Sequence, residues 1–120
     1  VVVCGEGLVG RVQDAGKGWA KVVSLIDESS KITFKVSGNL KLIGVVEGSS
    51  DGVLSGFMLD SSAKVTEGDR LVTSGMGIYP AGIEIGRITK VRYDSDEQLQ
   101  KIDVKSSVDF KSLQKVSVIL

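Results

Sequence analysis

The chain has 120 residues, 42% apolar and 25% charged, enough for one ordinary domain or two very small ones and far from the composition of a disordered segment. Fifteen basic residues balance fifteen acidic ones, so no net field draws it to nucleic acid or an anionic membrane, and its six scattered aromatic residues offer no base-stacking platform. With no histidine and one cysteine, it lacks the commonest general base, the commonest metal ligand and any internal disulfide.

The chain opens in an apolar strand, Val1 to Val3, where Cys4 reads as a small buried residue and not as a reactive thiol. This start has neither the charged leader nor the cleavage pattern of a secretory signal. No apolar run approaches the roughly 18 to 20 residues that span a bilayer. We therefore expect a soluble fragment of something longer. Gly5-Glu6-Gly7-Leu8-Val9-Gly10 fits G-x-G-x-x-G literally, but Arg11 to Trp19 contains Gly16 and Gly18 and no helical stripe. A dinucleotide site needs a helix opening at the last glycine, so a β-turn is the better reading.

From there the period is two. Ile32, Phe34 and Val36 alternate with Lys31, Thr33 and Lys35, and the same pattern returns at Val91 and Tyr93, at Ile102 and Val104, and at Val116, Val118 and Leu120. Valine and isoleucine supply 27 residues, as pleated surfaces favour. Turn signals recur at 15–18, 27–30, 37–39, 48–52, 67–69 and 94–97. About nine short strands result, too closely spaced for crossover helices, and the fold class is all-β with mostly antiparallel pairing. At most one short helical turn is expected, starting at Asp109, whose carboxylate can cap the amides that follow.

Gly7-Leu8-Val9-Gly10-Arg11-Val12 is echoed by Ile83-Glu84-Ile85-Gly86-Arg87-Ile88, as two similar β units would produce. Gly10 and Gly86 then mark bulges or sharp bends at barrel corners, and Gly68 marks the turn in Val65 to Val72. Between Val72 and Ile88 lies the most distinctive stretch, VTSGMGIYPAGIEIGRI. Gly75, Gly77 and Gly82 permit backbone angles closed to other residues, and Pro80 is the only proline. Met76, Ile78 and Tyr79 sit among them. Such apolar side chains either plug the open end of a barrel or await a partner; in the second case Met76, Ile78, Tyr79 and Pro80 are the protein-binding residues.

Two other clusters are weaker. Asp94, Asp96 and Glu97 share a loop but lack the spacing and bending glycine of a calcium site, and Thr73-Ser74 has no base at a known spacing. Catalytic, cofactor-binding and metal residues are therefore assigned to none. Trp19 and Tyr93 are the only pair that could stack on a sugar, which keeps open a peptidoglycan-binding or other ligand-binding β-barrel module.

The order GLVGRV (7–12), LIDESS (25–30), EGDRLVTSG (67–75), YPAGIEIGRI (79–88) and VDFKSLQKVSVIL (108–120) resembles the extracytoplasmic domain of the MreC family of rod shape-determining proteins. The resemblance covers nearly the whole chain. It implies two small β-barrels carried behind a transmembrane helix and a coiled coil, neither of which these residues contain. It also implies that residues 1–37 are part of a first barrel short of its upstream strands, and residues 38–120 a second, with the chain free to cross back. The implied function is a non-catalytic, cofactor-free scaffold of lateral wall synthesis, outside the cytoplasmic membrane. The implied partners are MreD and through it MreB, penicillin-binding transpeptidases, and a second copy of the chain. Members read like SGLGGIFPKG in the loop; this chain reads SGMGIYPAG, one residue shorter and with Ala81 at the basic position.

Overall fold

Ten strands and no helix make up the computed structural model, which describes residues 1–49, 53–60 and 62–119. The turn expected at 48–52 lies partly, and Leu120 wholly, outside the described residues. Six strands close into an antiparallel barrel in the order β4 (Lys31–Val36), β5 (Asn39–Glu47), β6 (Leu54–Met58), β9 (Leu99–Ser106), β8 (Glu84–Asp94), β7 (Arg70–Thr73). The other four form an open sheet: β10 (Ser117–Val118), β1 (Val2–Cys4), β2 (Gly7–Gly16), β3 (Trp19–Ser24). Of the two barrels implied by the resemblance, one is thus closed among the described residues. The chain changes sheet between β3 and β4, and again between β9 and β10, which returns to pair with β1. Residue 37 falls between β4 and β5, which pair with each other in the closed barrel.

Alternation explains the barrel wall. Ile32, Phe34 and Val36 point inward from β4, and Phe34 is fully buried. Room for its ring comes from Gly44 across the ladder, where a Cβ would overlap both that ring and the Phe57 carbonyl oxygen. Leu8 of the sheet and Leu25, just after β3, join the same core, so sheet and barrel share one apolar interior. The opposite face of β1 and β2 is covered by the segment after β9, through Val2, Val9 and Val108. Asp109 does cap this segment: its Oδ1 accepts from Lys111 N at 3.1 Å and its Oδ2 from Ser112 Oγ at 3.0 Å. One turn forms and goes no further, because the residues after it run out toward β10.

The sequence echo is a structural repeat. Gly10 pairs with Ser24 in β2–β3 and Gly86 pairs with Ser106 in β8–β9, and each ladder slips two residues later, after Val12 and after Ile88. Leu25 N donates to Val9 O at 2.8 Å, and Ser107 N to Ile85 O at 3.0 Å. On the other side, Val2 and Leu71 face Gly10 and Gly86, again next to a slip. Both glycines are required by close approach: a Cβ on Gly10 would overlap the Val23 carbonyl oxygen, and one on Gly86 the Lys105 carbonyl oxygen. They sit inside strands beside bulges, where the backbones of a sharply coiled pair come together. In this repeat β1–β2–β3 corresponds to β7–β8–β9, and β10 to β4, since Val118 faces Val2 as Val36 faces Leu71.

Candidate protein-docking loop

The repeat isolates one difference. The connection from β1 to β2 takes two residues, Gly5 and Glu6, whereas that from β7 to β8 takes ten, 74–83. A tight turn suffices to join these strands, so the longer connection is an addition. It is also well fixed. Thr73, 1% exposed, donates its hydroxyl to the Pro80 carbonyl and accepts from Ile83 N at 2.9 Å. Its backbone N–H and C=O bond to Ile83 O at 2.8 Å and Gly82 N at 2.9 Å. Ser74 Oγ accepts from Met76 N at 3.1 Å, so this buried serine is a turn residue and not an exposed nucleophile. Gly75, Gly77 and Gly82 all have φ between +86° and +90°, which other residues adopt only under strain. Thr73 thus pins both ends of the loop, and three glycines supply the left-handed angles its path requires.

That shape divides the apolar residues. Tyr79 is 8% exposed and packs into the barrel core, where burial pushes its phenol pKa up against the opposing pull of the Arg11 guanidinium. Met76 is 51% exposed and Ile78 65%. Pro80 is exposed, its carbonyl held by Thr73. Neither alternative posed by the sequence covers all three apolar side chains: Tyr79 plugs the barrel, while Met76 and Ile78 face outward. Beside them lies a groove of about 380 Å³, bounded by Arg11 of β2, by Ser29 in the turn before β4 and by Lys31 and Thr33 at its start. Sequence reading did not connect Arg11 or Lys31 with the loop. The one local signal was the Gly10-Arg11 step of the echo, which places Arg11 beside a bulge.

The other sequence candidates lie apart. Asp94 Oδ1 accepts from the amides of Asp96 and Glu97 at 3.0 and 3.1 Å, and its Oδ2 meets Lys101 Nζ at 3.3 Å. These bonds hold its carboxyl below the usual range and cap a hairpin turn. No group of three metal-ligating side chains occurs among the described residues. Trp19 lies over Gly16 at the tip of β2–β3, whereas Tyr93 is near the tip of β8–β9 in the other sheet, where it lines a shallow cavity with Arg92, Asp94, Ser95 and Lys101. Cys4 is half-buried. Gly5 and Gly7 lead into β2 and not into a helix.

Residues 1–120 match the family described as rod shape-determining protein MreC, barrel core. The chain belongs to the MreC family. It is 34% identical over 119 residues to the cell shape-determining protein MreC of Listeria monocytogenes serovar 1/2a, spanning 95% of this chain and 40% of that protein. The solved MreC structure from Listeria monocytogenes superposes with a TM-score of 0.83 at 33% identity, covering 96% of this chain and 57% of that one. MreC in a complex with penicillin-binding protein PBP2 from Helicobacter pylori shares the fold at a TM-score of 0.75 and 21% identity, over 96% of this chain and 73% of that one. This MreC barrel core thus spans about two fifths of the Listeria relative.

Proposed function

We propose that this MreC barrel core is a non-catalytic docking unit of the wall-elongation machinery, and that the 74–83 loop is its contact with a penicillin-binding transpeptidase. The observation that carries the reading is the pairing of Met76 and Ile78, exposed on a loop pinned at both ends by Thr73, with a two-residue counterpart that makes the same connection without them. Apolar side chains held out in one conformation lose little entropy on binding, which is what an interface anchor requires. The Helicobacter pylori complex of MreC with PBP2 supports the choice of partner. Among the described residues no helix is long and apolar enough to cross a membrane. We place this unit outside the cytoplasmic membrane, in a longer protein that is anchored there and linked through MreD to MreB.

The same reading extends to the open sheet. Because β10, β1, β2 and β3 correspond to β4, β7, β8 and β9, two further strands, counterparts of β5 and β6 set between β3 and β10, would complete a second barrel. A second copy of the chain is the other partner of this reading, through pairing of strand edges. The docking test is capture of the soluble ectodomain of the elongation transpeptidase from the same genome. The double variant Met76→Ser, Ile78→Ser should fold as the parent does and lose capture. A folded variant that still captures it at full strength would overturn the loop's role.

A further inference from the structure

Beyond the loop itself, and resting on the docking role just proposed, the start of β4 offers a free strand edge. Ser74 N donates to Thr33 O at 3.1 Å and Ser37 N to Arg70 O at 2.8 Å, so the odd-numbered residues of β4 turn their backbone groups toward β7. Even-numbered residues face β5, as Gly48 N to Ser30 O at 3.1 Å shows. Pairing with β7 begins at Phe34, opposite Thr73, and beyond that point the chain leaves into the loop. By the two-residue period of a strand, the N–H and C=O of Lys31 point past the end of β7, into the groove beside Met76 and Ile78. There they meet no β7 residue, although β5 covers the other edge of β4 along its length.

The groove is also cationic. Arg11 has no carboxylate within 4.0 Å among the described residues. Asp27, whose carboxyl feels the Arg11 charge, spends Oδ1 on the amide and hydroxyl of Ser29 at 2.9 and 2.7 Å. Lys31 has only a long, exposed pairing to Glu47 at 3.9 Å. An apolar wall, unpaired backbone groups and two cations together specify one kind of ligand chemistry.

We propose that an extended segment of the partner protein, apolar on one face and carrying carboxylates on the other, adds to the Lys31 edge of β4 as a continuation of β7, with its acidic side chains met by Arg11 and Lys31. Main-chain bonds to Lys31 would fix its register, and Met76 and Ile78 would cover its apolar face. The occupant is a strand donated by another protein, which is why the site is a groove open at the surface and not a closed pocket.

The test uses two blocked pentapeptides, acetyl-Val-Glu-Val-Glu-Val-amide and its lysine counterpart, titrated into the isotopically labelled chain to on the order of 1 mM, where weak strand addition is visible. The acidic peptide should shift the amides of Lys31 to Thr33 and Gly75 to Ile78, and slow hydrogen exchange at Lys31 by about twofold at half-saturation and more as occupancy rises. Arg11→Glu should abolish that response and admit the lysine peptide. Lys31→Pro, which removes an N–H that no bond among the described residues uses, should leave the melting temperature unchanged and still block the peptide. Equal response to both peptides, or shifts confined to β3 and β10, would overturn the assignment. Transpeptidase capture that depends on Met76 and Ile78 while this groove ignores the acidic peptide would overturn the strand-addition proposal alone and leave the loop reading in place.

Discussion

Replacing Thr73 by valine keeps the side-chain volume and deletes the hydroxyl that pins the loop. Thr73 is 1% exposed, and its Oγ1 bonds both the Pro80 carbonyl and the Ile83 amide at 2.9 Å. Each neutral hydrogen bond contributes about 1 kcal/mol net, and a partner left dry costs somewhat more. Pro80 is at the surface, so water can recover part of its loss; the Ile83 amide is less accessible. The variant should lose about 2 kcal/mol, which at a denaturant slope of roughly 1.5 kcal/mol/M lowers the urea midpoint by about 1.3 M. Thr73→Ser keeps the hydroxyl and loses one buried methyl, so it should lose only about 1 kcal/mol. Urea unfolding followed by Trp19 fluorescence, with amide relaxation across Gly75 to Gly82, reads both stability and loop order. Thr73→Val as stable as the parent, or more stable than Thr73→Ser, would refute the pinning argument.

Other outcomes follow from the same geometry. Tyr79→Ser should cost about 3 kcal/mol because it empties a core position, whereas Ile78→Ser should stay within about 0.5 kcal/mol; thermal melts compare them. Gly10→Ala and Gly86→Ala should each lower the melting temperature by about 10 °C, since a Cβ at either place overlaps a strand carbonyl, while Gly5→Ala, which meets nothing, should leave it unchanged. Asp94 is held below its ordinary value of 3.8, so its contribution at the β8–β9 tip is present above that value and lost as pH falls through the lowered one. Lys101 is raised above 10.5, so its share is present below that value and lost as pH rises through the raised one. Protection of the amides at 94–99, taken relative to their intrinsic exchange rates at each pH, should accordingly fall at both extremes and be greatest between them.

The strands could be read from the sequence because alternation is local: Ile32, Phe34 and Val36 carry their own face in their spacing. The loop glycines were readable for a related reason, since three glycines in eight residues announce a backbone that other residues cannot follow. What could not be read was which loop side chain turns inward. Met76, Ile78 and Tyr79 look alike as apolar residues, and their separation depends on Thr73 fixing Pro80 and Ile83 from outside the loop. The groove was hidden for a simpler reason. Arg11, Lys31 and Met76 belong to three segments that only barrel closure and the docked sheet bring together. The echo of Gly10 and Gly86 was legible as six residues that two similar β units would produce; the ladder slips and serine partners that make it a repeat are properties of pairing, which sequence alone does not display.

The central claim is that the 74–83 loop, and not a hairpin tip, meets the partner. At 12.7 kDa the chain is small enough for the direct measurement, amide spectra of the labelled protein recorded as unlabelled transpeptidase ectodomain is added. Broadening and shifts centred on Gly75 to Gly82 and spreading to Arg11 and Lys31, with Asp94 to Leu99 unmoved, are the predicted result. Perturbation centred on the β8–β9 tip, with the Met76 and Ile78 amides unchanged at saturation, would contradict it.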